Sequence, residues 1–223
     1  MRCRKFWAIP WEVRGTKLNT CPMKLSKRQK AIVYGLVLGD AYLQKTGKAN
    51  ARLRLEHSLN QQAYIDWKYS ELRNLFQSTP KPVTRIHPKS KRTHQYLRLQ
   101  SHASPLFGRI RRMFYDYESG KKRIPQNIAA LISNPLTLAV WYMDDGYYDR
   151  RDKSAHIYLQ RFKPSELERL VQAIKEQHGL GAKWYCRPDR KSCQLNFTGQ
   201  QKDNFIALIR PYLIDEMRHK LPS

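Results

Sequence analysis

An apolar segment that ends in two acids constrains the fold of this chain more than any other feature. Residues 136–143 are almost all apolar, Asn134-Pro135 precedes them as a helix start would, and Asp144, Asp145 and Gly146 follow. The bulky side chains cannot share one narrow stripe, so the helix should be buried on nearly all sides. Because a helix C-terminus is partially negative and disfavours carboxylates, a bound divalent cation is the natural compensation.

A second copy of this pattern lies upstream. The apolar segment 31–38 leads to Asp40, which lies 105 residues before Asp145 in a chain of 223 residues. Gly35 and Gly39 are four residues apart and share one helix face, where they would allow another helix to approach closely. The repeat at half-chain spacing predicts two similar halves.

Alternating strands and amphipathic helices follow each apolar helix. Period-two alternation predicts half-buried strands at 51–57, 83–87 and 94–100, and again at 156–160, 183–187 and 194–198. Helical spacing predicts helices at 26–40, 60–76, 104–115, 165–177 and 200–212. The chain therefore divides into an arm at 1–25, a first half at 26–119, a linker at 120–134 and a second half at 135–223. Each half reads helix, strand, helix, hairpin, helix, which is an α+β fold.

The outward-facing side chains of these strands are of the types that read DNA. Arginine can pair with guanine, glutamine and asparagine with adenine, and a two-stranded ribbon fits the major groove. A solvated face is the alternative, but such faces mix Glu with Lys, and acids are scarce here. The candidate DNA-binding residues are Arg52, Arg54, Arg85, Tyr96, Arg98, Gln100, His156, Tyr158, Gln160, Lys183, Tyr185, Arg187, Gln194 and Asn196.

The charge of the chain points to a polyanionic partner. Lys and Arg number 42 against 18 Asp and Glu, which gives a formal net charge of +24. This surplus exceeds what solubility needs and favours nucleic acid over an anionic membrane or an acidic protein. No apolar run reaches the ~18–20 residues that span a bilayer, so no membrane partner is expected.

The N-terminal segment and the cysteines carry weaker signals. Residues 1–25 read as an irregular basic arm without the apolar centre of a signal peptide, and a disordered tail and a DNA-tracking arm are equal alternatives. An intracellular location with the DNA is expected, with mitochondrion, chloroplast and bacterial cytoplasm all open. Because there is no C-x-x-C pair, free thiols are expected in preference to a zinc site or a redox motif at Cys3, Cys21, Cys186 and Cys193.

Both apolar segments resemble the LAGLIDADG motif. Val33-Tyr-Gly-Leu-Val-Leu-Gly-Asp-Ala41 lies over the first copy and Leu138-Ala-Val-Trp-Tyr-Met-Asp-Asp-Gly146 over the second. Ala41 replaces the last glycine of the first motif. Val140 replaces the first glycine of the second, and this change is expected to loosen or tilt the helix pair.

The resemblance extends from about residue 26 to the end of the chain. It is strongest to single-chain homing endonucleases of the mitochondrial ribosomal-RNA-intron type. The stretches 121–125, 209–214 and 220–222 also resemble segments of those enzymes. The family fold implies two pseudo-twofold αββαββα halves, with the motif helices packed at the interface. Each half would carry a curved antiparallel sheet, and the two sheets would form a saddle over DNA.

The family chemistry can be carried over to particular residues. The catalytic acid of the motif maps to Asp40 and Asp145. The lysines that stabilise charge at phosphorus or polarise water in this family map to Lys122 and Lys220. Hydrolysis needs an activated water and stabilised charge at phosphorus, and divalent ions meet both needs. The expected metal ligands are Asp40 and Asp145 with the backbone carbonyls of Gly39 and Asp144, the Asp144 side chain lying outside the ligand set. Mg²⁺ is the expected cofactor, with Mn²⁺ able to substitute and Ca²⁺ able to bind without supporting cleavage.

These features together predict a monomeric, site-specific endonuclease that cuts double-stranded DNA at a long asymmetric site. One alternative is a maturase that binds intron RNA and assists splicing without cutting. The other is a non-catalytic DNA-binding regulator on the same scaffold. The presence of both motif acids and of both lysines favours the endonuclease.

Overall fold

The protein is represented by a computed structural model that describes residues 24–86, 88–160, 162–186 and 192–222. Most of the predicted N-terminal arm lies outside these ranges, as do Arg187 and residues 188–191 between the last two predicted strands. The side chain of Gln160 also lies outside the described part of the chain, although its backbone belongs to a strand.

The two halves fold with the same order of elements. The first half contains α1 (Lys27–Leu38), β1 (Tyr42–Lys45), β2 (Ala51–Ser58), α2 (Gln62–Glu71), β3 (Lys81–Ile86), β4 (Thr93–Gln100) and α3 (Pro105–Phe114). A short helix, α4 (Ile128–Ile132), follows in the predicted linker. The second half contains α5 (Pro135–Asp145), β5 (Gly146–Asp149), β6 (Ser154–Gln160), α6 (Pro164–His178), β7 (Lys183–Cys186), β8 (Ser192–Phe197) and α7 (Gly199–Ile209).

Each half contributes one four-stranded antiparallel sheet. The strand orders, β1-β2-β4-β3 and β5-β6-β8-β7, are the same relative to the chain. The prediction of an α+β fold is therefore confirmed. Periodicity does not predict β1 and β5, because a strand of four residues is too short to show a period. The αββαββα order that the resemblance implies does include both strands.

The apolar helices α1 and α5 pack against each other. A Cβ atom at Gly35 would lie 2.7 Å from the Cβ of Val140, and one at Gly39 would lie 2.7 Å from the Cβ of Asp144. Both glycines therefore leave room for a larger side chain of α5, and Val140 occupies the space that Gly35 provides. The residues of α5 from Leu136 to Met143 are all buried, as a helix apolar on all sides requires.

The two sheets bury one face and leave the other partly open. The side chains of β2 alternate strictly between buried and half-buried, with Leu53 and Leu55 in the core and Arg54 and Glu56 on the outer face. Among the described residues, none of the helices combines the length and apolar character that a membrane span needs.

The prediction of free thiols is wrong for two of the four cysteines. Cys186 and Cys193 face each other across the β7–β8 pair, with their Cα atoms 4.0 Å apart, and form a disulfide. The strand register, which sequence spacing does not reveal, brings them together. Cys3 and Cys21 lie outside the described residues.

Candidate active site

The C-terminal ends of α1 and α5 bring the two motif acids into electrostatic contact. Helix α1 ends at Leu38 and Asp40 follows in the turn before β1, whereas Asp145 is the last residue of α5. Burial, together with the negative charges of Asp40 and Asp144, raises the pKa of Asp145 to about 7. Burial and Asp144 also raise the pKa of Asp40. Ionised carboxylates that burial and neighbouring acids destabilise in this way are typical of sites that bind a cation or hold a proton.

Two lysines approach these helix ends, one from the linker and one from the second half. The ammonium of Lys122 donates to the carbonyl of Gly39 at 2.5 Å. The ammonium of Lys220 donates to the carbonyls of Met143 and Asp144 at 2.6 and 3.1 Å. Burial lowers the pKa of both lysines, although the nearby carboxylates oppose that shift. Composition alone would have assigned these residues to solvated surface, and the structure places them beside the acids instead.

The same region offers a donor set that fits a divalent metal ion. A cavity of about 470 Å³ is lined by Gly39, Asp40, Lys122 and Asp145 among others. The carbonyls of Gly39 and Asp144 already accept hydrogen bonds from ammonium groups, so both oxygens face positions that a cation can reach. Carboxylate and carbonyl oxygens are the ligands that Mg²⁺ and Ca²⁺ prefer.

The carboxylate of Asp144 belongs to a separate, fully buried cluster. Its Oδ1 accepts hydrogen bonds from the ammonium of Lys68 at 2.6 Å and from the hydroxyl of Tyr64 at 2.8 Å. Its Oδ2 accepts a hydrogen bond from the backbone N–H of Asp40 at 3.1 Å. The side chains of Lys68 and Asp144 have no exposed surface. Asp144 therefore joins α5 to α2 and to the backbone of the first motif acid, which leaves its carbonyl as the atom available to a metal.

His57 completes this buried cluster. Its Nε2 lies 2.6 Å from the ammonium of Lys68, which can only donate, so Nδ1 carries the proton and donates to Gln61 Oε1 at 3.0 Å. Burial, followed by the positive charge of Lys68, lowers the pKa of His57 to about 4. Asp40, His57 and Asp144 could each offer a ligand atom within 4.8 Å of the others. The Lys68 ammonium already contacts two of these three residues, so the cluster is neutralised by a side chain.

Sequence reasoning missed the roles of Lys68 and His57, although both had a detectable signal. His57 continues the buried parity of Leu53 and Leu55 in β2. Lys68 follows Tyr64 by four residues and therefore lies on the apolar face of α2. A lysine on a buried stripe requires an acidic partner, because an unpaired buried charge is very costly.

The predicted DNA-binding residues fall into two sets. On the first sheet, the guanidinium groups of Arg54, Arg85 and Arg98 all lie near the carboxylate of Glu56, and Arg52 donates to Gln100 at 3.4 Å. On the second sheet, Tyr158 and Tyr185 are about half exposed, at 51% and 50%. The remaining described candidates are exposed or half-buried on the outer faces: Tyr96, Lys183, Gln194 and Asn196.

His156 departs from the predicted DNA-contacting role. It is only 7% exposed. Its Nε2 lies 2.6 Å from Ser154 Oγ and its Nδ1 lies 2.7 Å from Asn196 Oδ1, so both ring nitrogens are engaged within the protein. The ring of Tyr147 stacks on it at 4.7 Å. The strand parity is right, but a neighbouring aromatic side chain covers the outward face.

A stability measurement can test whether the folded protein raises the pKa of Asp145. Because the folded-state pKa of Asp145 is raised, the folded protein binds more protons than the unfolded chain below about pH 7, so this residue destabilises the fold as pH rises. In a chelating buffer at about pH 8.5, Asp145→Asn should therefore unfold at a higher temperature than the wild type. The difference should shrink as pH falls towards about 5, below the folded-state pKa.

The difference between the variant and the wild type cancels other titrations, including that of His57, whose lowered pKa acts in the opposite direction. Differential scanning calorimetry of both proteins across this pH range is the measurement. A difference in midpoint that stays constant with pH would show that the pKa of Asp145 is not raised in the folded protein.

Known proteins with similar sequences cover most of this chain. A protein named RecA from Mycolicibacterium fallax is 28% identical over 210 residues, which cover 88% of this chain and 47% of that protein. The chain thus spans about half the length of the RecA proteins it matches. The DNA endonuclease I-ChuI of Chlamydomonas applanata is 26% identical over 212 residues, or 89% of this chain and 96% of that enzyme.

A solved structure and a family model identify the family of this chain. The structure described as the homing endonuclease I-WcaI bound to its DNA recognition sequence is 25% identical, with a TM-score of 0.80 over 90% of this chain and 88% of that one. The family model described as the LAGLIDADG DNA endonuclease family matches residues 30–205, which include both motif acids. The resemblance found in the two apolar segments is confirmed, and the chain belongs to the LAGLIDADG DNA endonuclease family.

Proposed function

We propose that the chain is a site-specific endonuclease that hydrolyses both strands of DNA with the help of a divalent metal. The observation that carries the proposal is the convergence of Asp40, Asp145 and Lys122 on one cavity at the paired helix ends, where Lys220 also donates to the last carbonyls of α5. Two four-stranded antiparallel sheets accompany this centre, and the net charge of +24 suits a DNA partner.

Each residue of the centre has a distinct task in this proposal. Asp40 and Asp145, with the carbonyls of Gly39 and Asp144, would hold the metal. Mg²⁺ is the preferred ion and Mn²⁺ can replace it, whereas Ca²⁺ binds without supporting cleavage. The bound metal supplies water activation and charge neutralisation at the phosphate. Lys122 and Lys220 place fixed positive charge where negative charge develops on the phosphoryl oxygens.

Both motif helices belong to one chain, so the proposed active form is a monomer. A twofold-symmetric dimer reads a palindrome, whereas two non-identical halves in one chain read an asymmetric site. The outer faces of the two sheets differ in residue type, with an arginine-rich cluster on the first and tyrosines on the second. The proposed location is intracellular, alongside the DNA that carries the site.

A cleavage selection on randomised duplex DNA tests this function. The protein is incubated with the library and Mg²⁺, and the cut ends are captured and sequenced. We expect one family of long, asymmetric sites, with both strands cut at fixed positions and with affinity that falls steeply as salt rises, by about 10³-fold or more between 50 and 200 mM if six phosphates are contacted. Sedimentation of the complex should give one protein per duplex.

Three results would contradict the proposal. Cutting without sequence preference would remove site specificity. Sequence-specific binding without any cutting in Mg²⁺ or Mn²⁺ would favour the alternative hypothesis of a non-catalytic DNA-binding regulator. An obligate homodimer on the selected site would contradict the monomer.

A further inference from the structure

One acid stands out on the outer face of the first sheet. Glu56 lies in β2, in the centre of a surface that would face DNA, where a carboxylate should repel phosphate. Three guanidinium groups surround it. Its Oε1 lies 2.6 Å from Arg85, and its Oε2 lies 2.8 Å from Arg98 and 3.6 Å from Arg54.

The strand register explains why these groups converge. Glu56 is directly opposite Arg98 in the β2–β4 pair, so both side chains point to the same face. Arg54 precedes Glu56 by two residues on that face. Arg85 reaches inward from the edge strand β3, and its guanidinium lies 5.8 Å from the ring centroid of Tyr96. Arginines from three adjacent strands thus meet at one carboxylate.

The carboxylate is ionised and largely inaccessible. Burial acts to raise the pKa of Glu56, but the hydrogen bond from Arg98 and the charges of Arg85 and Arg98 outweigh it and lower the pKa. Its side chain is 19% exposed. Arg98 donates to Oε2 through Nε at 2.8 Å, so both carboxylate oxygens are occupied by guanidinium groups. Glu56 is therefore poorly placed to accept a hydrogen bond from a base itself.

A guanidinium held in place before binding reads a base better than a free one. An unrestrained arginine loses side-chain entropy when it is ordered on DNA, and that loss weakens the specific complex. Arginine recognises guanine through two parallel hydrogen bonds, so its orientation decides whether it discriminates. A carboxylate among three arginines also lowers the net positive charge of the cluster by one, so the non-specific attraction of this surface to phosphate is weaker.

We propose that Glu56 is a specificity-determining positioning residue, which orients Arg54, Arg85 and Arg98 for reading guanines and limits their non-specific attraction to DNA. The inference rests on the proposed endonuclease function. Tyr42 pairs with Arg54 as Tyr147 pairs with His156, so Tyr158 in β6 corresponds to Glu56. The second sheet therefore carries a tyrosine where the first carries this acid. The effect of Glu56 is therefore confined to the part of the site that the first sheet contacts.

The test compares Glu56→Gln with the wild type in binding selections from a randomised duplex library in Ca²⁺. We expect Glu56→Gln to lose preference at guanine positions in one half of the site, with the ratio of best site to single-base variants falling about tenfold there. Its affinity for a duplex of unrelated sequence should rise, and the salt dependence should steepen by about one unit. The midpoint of thermal unfolding, measured in parallel, verifies that the variant is folded.

Glu71→Gln is the matched control. Glu71 binds the guanidinium of Arg28 at 2.5 Å through an ion pair between α2 and α1, so this variant makes the same charge change away from the sheets. It should leave the base preferences unchanged. If Glu71→Gln alters them as much as Glu56→Gln does, net charge and not positioning explains the effect, and the inference fails.

The double variant Glu56→Gln/Arg98→Gln separates positioning from direct base contact. If Glu56 acts through the arginines, its removal should change base preference much less once Arg98 is gone. Fully additive losses would contradict the inference, as would a Glu56→Gln variant that selects the wild-type site with unchanged preferences. A wild-type protein that selects no site at all would instead contradict the proposed function, so the two failures are distinguishable.

Discussion

Asp40→Asn and Asp145→Asn are each expected to abolish double-strand cleavage of the selected site while leaving DNA binding intact or tighter. Burial and neighbouring acids raise the pKa of Asp145, and both motif carboxylates would approach phosphate oxygens, so removing one negative charge relieves repulsion between protein and DNA. The remaining acid cannot supply the missing metal ligand. We expect the rate of linearisation to fall on the order of 10³-fold or more, as for other residues that act only in the reaction.

Supercoiled plasmid carrying the selected site provides the measurement. We expect each motif acid to serve the cut in one strand, so a single variant should convert supercoiled plasmid to nicked circles and stop there. Asp203→Asn is the control, since Asp203 is a solvent-exposed acid on α7 that pairs with Lys202. Linearisation at the wild-type rate by either motif variant would refute the assignment of these acids.

The sequence predicted the fold well where patterns were long. Helix α5, with eleven residues, contains the whole predicted apolar segment 136–143, and its buried stretch ends at Met143, before Asp144. The eight residues of β2 alternate as predicted. Short elements were lost, since β1 and β5 have four residues each, and a five-residue helix lies within the predicted linker. Such segments contain too few residues for a period to be measured.

The sequence predicted the charged site less completely, for a physical reason. The motif repeat identifies Asp40 and Asp145 because both lie at the same position of a recurring pattern. Lys68 and Asp144 are 76 residues apart, and their pairing depends on how α2 packs beside α5. The disulfide and the cover over His156 likewise depend on register and on neighbouring side chains. Periodicity gives the face of a residue but not the partner that it meets there.

The buried pair of Lys68 and Asp144 carries the second large expected effect. Neither side chain has exposed surface, and their charged atoms are 2.6 Å apart. Lys68→Met should lower the free energy of unfolding by about 3–5 kcal/mol, because it leaves the carboxylate of Asp144 buried without a counter-charge. Removing both charges together should restore most of the stability, since the isolated charge no longer exists. Denaturant unfolding of the single and double variants measures this difference.

Two double variants then separate stability from positioning of the active site. Lys68→Met/Asp144→Asn keeps an oxygen that can accept the N–H of Asp40, whereas Lys68→Met/Asp144→Leu removes that acceptor. Both should unfold at similar denaturant concentrations, because neither buries an unpaired charge. The asparagine variant should cleave the selected site faster, since the Asp40 backbone keeps its hydrogen-bond partner at the end of α5. Equal cleavage rates would mean that this hydrogen bond does not position Asp40, and the cluster would then stabilise the helix interface alone.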